Sequence, residues 1–337
     1  MKLTGYLGQG PVRTIAQNVS WAEDVGLDRL WTSELAHDPF LPLALVADRS
    51  DVLSIGTSLA ISFARTPWAT AQVAWDLHQM SGQRFVLGLG TQVRAHVERR
   101  FGGRWESPVG YTRDYVGALR AIWRHWTDGG PLAFESETFN LDLTAPIFQA
   151  EAGGAAPPVY LGGVNRQMCR LAGRIADGFL VHGFGSPTYV RDHVIPELVR
   201  DRDRDSISVV IPVLMGTSAD PSGLDAARER ARQQVAFYAS TPAYRPVLEV
   251  HGWESLGEKL SALARERQWS TMTALVDDEV LDTYAVCGPP EDVGREMVRR
   301  FEGLADEVAV LQSLDELGPE CYRRIRAGFD RAATTVG

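Results

Sequence analysis

Four short segments combine residue types able to do chemistry, and each closes an apolar run. The first is Trp31-Thr32-Ser33-Glu34, followed by His37-Asp38-Pro39-Phe40. A carboxylate and an imidazole this close at the mouth of a strand suit general acid–base work, with Glu34 and His37 as the catalytic candidates. A plainer reading makes Glu34 a hydrogen-bonding carboxylate of the scaffold and Asp38 the cap of a helix begun by Pro39. The second is Gly56-Thr57-Ser58-Leu59, where small residues inside a strand mark either a bulge beside a ligand or close core packing. The third is Gly88-Leu89-Gly90-Thr91-Gln92: glycine admits a ligand close to the backbone, and Thr91 and Gln92 add hydrogen-bonding side chains. The fourth is Leu161-Gly162-Gly163-Val164-Asn165. Two glycines running from a strand into a helix point backbone N–H groups and a helix dipole at a phosphate, unless they only make a tight turn. After the third segment come Arg94, His96, Arg99, Arg100 and Arg104. On a helix these are mostly a solvated face, but His96 and Arg100 share one side and could reach an anionic cofactor.

These segments must be held at one rim by the elements around them. The stretch from Leu53 to Gln92 reads strand, helix, strand. Both flanking runs are rich in Val, Ile and Leu with little polar alternation, as in parallel strands buried on both faces. Between them, Thr66 is a good N-cap, Pro67 suits the first helical position and Gly82 suits the stop. Further strands are predicted at 2–7, 27–34, 157–163, 179–184, 206–217 and 307–313, each followed by a helical pattern. Eight buried strands alternating with helices predict a closed (β/α)8 TIM barrel, an α/β fold whose ligands sit at the C-terminal ends of the strands. An open doubly wound sheet is the competing architecture. We read residues 1–337 as one domain with two additions: a hairpin-containing insertion at 128–156, after strand four, and a more polar helical insertion at 221–285, between strands seven and eight.

Composition narrows the function classes. The net charge is −9 with both signs interspersed, so no basic stripe suggests nucleic acid. The opening MKLTGYLGQG has no apolar signal region, and no run is apolar enough to cross a membrane, which predicts a soluble cytoplasmic protein. Cys169, Cys287 and Cys321 are far apart and odd in number, and the histidines show no metal-ligand spacing, so neither a disulfide framework nor a metal site is expected. Lys2 and Lys259 are the only lysines among 34 Lys and Arg residues, which fits a GC-rich genome. The strand ends carry neither GxGxxG nor GxxxxGK[ST], and no GxSxG elbow occurs, which argues against a Rossmann or P-loop site and against serine hydrolysis.

The run AEDVGLDRLWTSE (22–34), with IGTSLAISFARTP, SGQRFVLGLGT and VYLGGVNRQMCRLAGRIADGF, resembles the luciferase-like flavin/deazaflavin oxidoreductase superfamily, in its coenzyme F420-dependent branch. The resemblance extends to GPPEDV (288–293) and the last strand. It implies a (β/α)8 barrel, usually dimeric, that binds coenzyme F420 or FMN at its mouth. It also implies a non-prolyl cis peptide at Ser58-Leu59 backing the ring and cofactor contacts from Gly90, Thr91, Gln92 and His96. It implies a phosphate-binding turn at Gly162, Gly163, Val164 and Asn165, and Glu34 beside the ring. Many members carry a histidine directly after that acidic residue; here the position is Leu35, which leaves His37, or His182 after strand six, as the nearest imidazoles. The expected activity is hydride transfer between the deazaflavin C5 and a small organic substrate, with a homodimer as the working form. An FMN-dependent monooxygenase using O2 and a cofactor-binding barrel without turnover are the alternatives. Trp31, Phe40, Phe63 and Phe184 near the mouth suggest a partly apolar substrate pocket, unless they belong to the core.

Overall fold

In the computed structural model, which describes residues 1–150 and 154–336, the apolar runs become eight parallel strands. They are β1 (Lys2–Tyr6), β2 (Arg29–Thr32), β3 (Ser54–Thr57), β4 (Phe85–Gly90), β5 (Val159–Gly162), β6 (Gly178–Leu180), β7 (Ser208–Gly216) and β8 (Glu307–Ser313). Each pairs with its successor, and β8 pairs with β1 (Lys2 opposite Glu307, Val310 opposite Gly5), so the sheet closes on itself. The barrel is therefore closed, not an open doubly wound sheet. Trp31, Val86, Tyr160, Leu180, Val210 and Ala309 fill its interior, while the larger core lies between strands and helices. Among the described residues, no helix is long and apolar enough to cross a membrane.

Local chemistry explains the boundaries that position the mouth. Helix Pro67–Met80 begins where Thr66 Oγ1 accepts the Ala69 N–H at 3.3 Å and stops near Gly82, whose φ of 61° suits glycine. Strand three is interrupted: β3 ends at Thr57, the Ser58–Leu59 peptide is cis, and Ala60–Ile61 resumes pairing with β4. Helix Arg166–Ile175 starts with Asn165 Oδ1 accepting the Met168 N–H at 2.9 Å.

The first addition carries the expected hairpin, and the second departs from the sequence reading in one detail. Within 128–156, Phe134–Glu135 and Asn140–Leu141 form an antiparallel hairpin, and residues 151–153 lie outside the described residues. Within 221–285, helices run from Leu224 to Tyr284, but Ala285–Cys287 is a short strand parallel to β7. Three residues ending at Cys287 are too few to show a strand pattern beside a long helical stretch.

Candidate active site

A cavity of about 1070 Å3 opens at the C-terminal ends of the strands. Its wall includes Glu34, Ser58, Leu59, Gly90, Thr91, Gln92, Gly162, Gly163, Val164 and Asn165, all named from the sequence. His37 and His96 are not on that wall; both side chains are exposed. The loop holding His37 is pinned with the imidazole outward. Thr32 Oγ1 donates to the Pro39 carbonyl at 2.7 Å, Asp38 Oδ1 accepts the Phe40 and Leu41 N–H groups, and Arg100 donates to the Leu35 carbonyl. That last bond also turns Arg100 to scaffold work rather than to an anionic ligand.

Glu34 is built into the scaffold. Arg65 Nη1 donates to its two oxygens at 2.6 and 2.7 Å, and the Ile61 N–H donates to Oε2 at 2.7 Å. The Glu34 N–H in turn donates to the Leu59 carbonyl at 3.2 Å. Glu34 thus ties down the chain just after the cis bond, its N–H on Leu59 and its carboxylate oxygens committed to Ile61 and Arg65. Arg65 also reaches Asp38 at 2.8 Å. Burial pushes the Asp38 carboxyl up, but the Leu41 and Phe40 N–H groups and the Arg65 guanidinium outweigh it and hold it below the usual carboxylate range. Ser58 is fixed by further bonds: its carbonyl accepts from Ser33 Oγ at 2.8 Å, and its hydroxyl lies 2.6 Å from the Tyr6 hydroxyl, which burial holds above the ordinary phenol range.

The glycines have local reasons. A Cβ at Gly56 would lie 2.5 Å from the Trp31 ring, and one at Gly88 would lie 1.8 Å from the Thr57 carbonyl oxygen. At Gly90 and Gly162 it would lie 2.6 and 2.5 Å from the Leu59 side chain, and at Gly163 2.4 Å from Met168. Gly90 and Gly162 therefore make room for the bulge residue, which stands between them, rather than only for a ligand. Gln92 turns the chain out of β4 with φ 63°, and its Oε1 accepts the Val93 N–H at 3.0 Å; the Thr91 hydroxyl donates to the Gln92 carbonyl at 3.0 Å.

The aromatic wall is not the one expected. Trp31 is fully buried inside the barrel and donates to Thr4 Oγ1 at 3.0 Å. Phe184 stacks on Tyr284 at 4.2 Å, Phe40 lies in the outer core, and Phe63 stacks between Trp105 and Tyr111. Tyr6, Trp105, Tyr238 and Tyr244 line the cavity instead. Between the last two stands His182, its ring centroid 4.9 Å from Tyr238 and 4.1 Å from Tyr244. Burial lowers the His182 imidazole to about 4, so it is neutral at pH 7. Its Nδ1 faces the Phe184 N–H at 3.1 Å, which makes that nitrogen the acceptor and leaves the proton on Nε2.

Sequence reasoning missed Arg65, Tyr6 and the tyrosine pair. Arg65 had a signal: a lone arginine closing the apolar run before the Thr66-Pro67 helix start. Tyr238 and Tyr244 had little, because they lie in the polar insertion.

The comparisons agree with this geometry. The sequence profile described as "Luciferase-like monooxygenase" matches residues 2–307. An uncharacterised protein of Mycobacterium tuberculosis, Rv1360, is 42% identical over 314 residues, covering 91% of this chain and 92% of that protein. The 5,10-methylenetetrahydromethanopterin reductase of Archaeoglobus fulgidus is 27% identical over 286 residues, 82% of each chain. The structure of the coenzyme F420-dependent tetrahydromethanopterin reductase of Methanopyrus kandleri superposes with a TM-score of 0.80 at 20% identity, covering 100% of this chain and 99% of that one. A profile match over nearly the whole chain, a relative at 42% identity and a closed barrel carrying a bulged third strand lead to one conclusion: the chain belongs to the luciferase-like monooxygenase family.

Proposed function

We propose that this chain is a coenzyme F420-dependent oxidoreductase that exchanges a hydride between the deazaflavin C5 and a small, partly apolar organic substrate. The observation that supports this most is the mouth cavity. One side gathers the Ser58–Leu59 bulge, the Gly90–Gln92 loop and the Gly162–Asn165 turn, and the other, near Tyr238 and Tyr244, is left for a second molecule. At about 1070 Å3 the space suits a cofactor ring together with a small substrate. Two relatives named above, reductases from Archaeoglobus and Methanopyrus, lend the cofactor class; the second is named for F420.

The residues present fit such a group. Ser58 and Leu59 would back the ring, and Gly90, Thr91 and Gln92 would border it. The turn from Gly162 to Asn165, leading into the N-terminus of helix Arg166–Ile175, would hold the phosphate. The bound deazaflavin supplies the hydride exchange, and the protein supplies orientation and hydrogen bonds. Glu34 and Arg65 keep the bulge in place. His182, neutral and with Nδ1 already engaged, would hold and polarise the substrate oxygen through a hydrogen bond from its Nε2–H, without giving up that proton, where His37 does not reach the cavity wall. The family resemblance also supports a homodimer, and a monomer in sedimentation velocity would remove that part of the reading.

A second reading, an FMN-dependent monooxygenase, is favoured by the family-wide match over residues 2–307. Titrating the apo-protein with oxidised F420 and, separately, FMN, followed by fluorescence quenching, decides between them. Tight F420 binding with negligible FMN binding is the expected result. FMN binding accompanied by O2 uptake on reduction would transfer the assignment to the second reading, and binding of neither would remove the cofactor assignment.

A further inference from the structure

The proposed phosphate turn has one peptide whose direction is fixed from behind. Gly162, Gly163, Val164 and Asn165 bring no charged side chain to the cavity wall. The next residue, Arg166, does not add a cation there: its Nη2 donates to His193 Nδ1 at 2.9 Å, and its Nη1 lies 3.5 Å from Glu197. The Asn165 side-chain oxygen is occupied as well, capping the helix through the Met168 N–H. An anion at this turn therefore depends on N–H groups rather than on a charged side chain, and the direction of those groups decides how well it is held.

A trans peptide carries its C=O and its N–H on opposite sides of one plane. The Val164–Asn165 peptide is trans, since the only cis bond among the described residues is Ser58–Leu59. Its carbonyl, from Val164, accepts the Tyr189 hydroxyl. Its N–H, from Asn165, must then point away from Tyr189, and it meets no protein acceptor among the described residues. Tyr189 lies in the outer core, off the cavity wall that Val164 and Asn165 line, so the N–H turns to the cavity side. Burial holds the Tyr189 phenol above its ordinary range, which keeps it protonated as the donor to that carbonyl. Tyr189 is itself fixed. The fully buried Ser186 accepts the Tyr189 N–H on Oγ at 3.1 Å and stands 2.8 Å from His251 Nε2, and the Tyr189 ring lies nearly parallel to that of His193 with centroids 5.8 Å apart.

We infer that Tyr189 is a positioning residue of the phosphate site: by holding the Val164 carbonyl in the core, it turns the Asn165 N–H to the phosphate. A carbonyl swung to the cavity side would set the negative end of its dipole against the anion in place of a donor. Without the Tyr189 hydroxyl, the Val164 carbonyl is an acceptor left without a partner in the core, and rotation of the peptide toward water answers it. The peptide then loses the direction that the anion needs. Tyr189 is 2% exposed and does not line the cavity, so it acts only through this peptide. The inference rests on the cofactor reading above for the presence of a phosphate.

The test compares the full-length apo-protein with Tyr189→Phe, which keeps the ring and removes only the hydroxyl. Fluorescence quenching gives the affinity for F420 and for its deazaflavin alcohol, which lacks the phosphate and all beyond it, and likewise for FMN and riboflavin. In whichever pair binds, Tyr189→Phe is expected to weaken the phosphate-bearing member about tenfold and the alcohol less than about twofold. Equal weakening of both members, as a merely structural loosening would give, overturns the inference, and so does no weakening of either. Amide NMR of the wild-type chain is the second readout should the variant not fold. The Asn165 N–H is expected to move downfield with the phosphate-bearing member and not with the alcohol; an Asn165 N–H that does not move overturns the inference. If no member of either pair binds the wild-type chain, the cofactor reading falls and the inference with it. If F420 binds and the split is absent, the inference falls alone.

Discussion

Two side chains at the mouth have opposite chemistry, and each can be tested alone. His182 is neutral because burial lowers it to about 4. The folded state therefore binds fewer protons than the unfolded chain between pH 6.5 and 4, so this contribution to stability is full above 6.5 and is lost as pH falls through that window. Between pH 7 and 4.5 the loss is roughly 2–3 kcal/mol. Urea unfolding at the two pH values should show it in the native chain and not in His182→Asn. If His182 polarises the substrate oxygen through its Nε2–H, the same variant should lower turnover by about 100-fold with F420 affinity unchanged. Glu34 tests the reverse. As a scaffold carboxylate tied to Arg65 and Ile61, its replacement in Glu34→Gln should cost about 3 kcal/mol in thermal unfolding and weaken cofactor binding. A stable variant that binds normally but does not turn over would instead make Glu34 a proton donor. The sequence displayed both residues at strand ends but not which was free, because that depends on Arg65, which reaches back to Glu34 from beyond the bulge.

At the scale of elements, the mouth is organised by how β3, β4 and β5 end. Leu59 stands over Gly90 and Gly162, so a methyl group at either glycine collides with it at about 2.6 Å or less. Gly90→Ala should destabilise by about 1–3 kcal/mol. Shortening the neighbour in Leu59→Ala should recover at least about 1 kcal/mol of that in a double-mutant cycle. Additive single effects in chemical denaturation would show that the glycine serves something other than the bulge. These strand ends were legible as small, glycine-rich stops, and the helix starts at Thr66 and Asn165 were legible from capping chemistry. What each glycine faces was not, since Trp31, Thr57, Leu59 and Met168 come from other turns of the fold. The same limit explains Trp31 and Phe184. An aromatic near a strand end is equally legible as pocket or as core, and only the direction of its side chain tells them apart.

For the whole molecule, eight buried runs alternating with helices predicted the closed barrel but left an open doubly wound sheet competing, because that fold also buries both faces of its strands; the pairing of β8 with β1 decides for closure. The seal itself is at the other end of the barrel. Arg29 and Glu307, the first residues of β2 and β8, pair at 2.6 Å in the buried base, with Arg29 also 4.9 Å from the Trp31 ring centroid. Burial pushes the Glu307 carboxyl up, against the pull of Arg29. Arg29→Met should cost about 3 kcal/mol by stranding that carboxyl, whereas Arg29→Met with Glu307→Leu should come close to the native stability. F420 affinity should be unchanged in both, since the pair lies a barrel length from the mouth. This polarity of the barrel has a practical side. Met1 precedes Lys2, which sits beside Glu307 at the base. A linker attached at Met1 would therefore seat the molecule base-down on an electrode or sensor chip, with the mouth turned to the solution and open to whatever is passed over it.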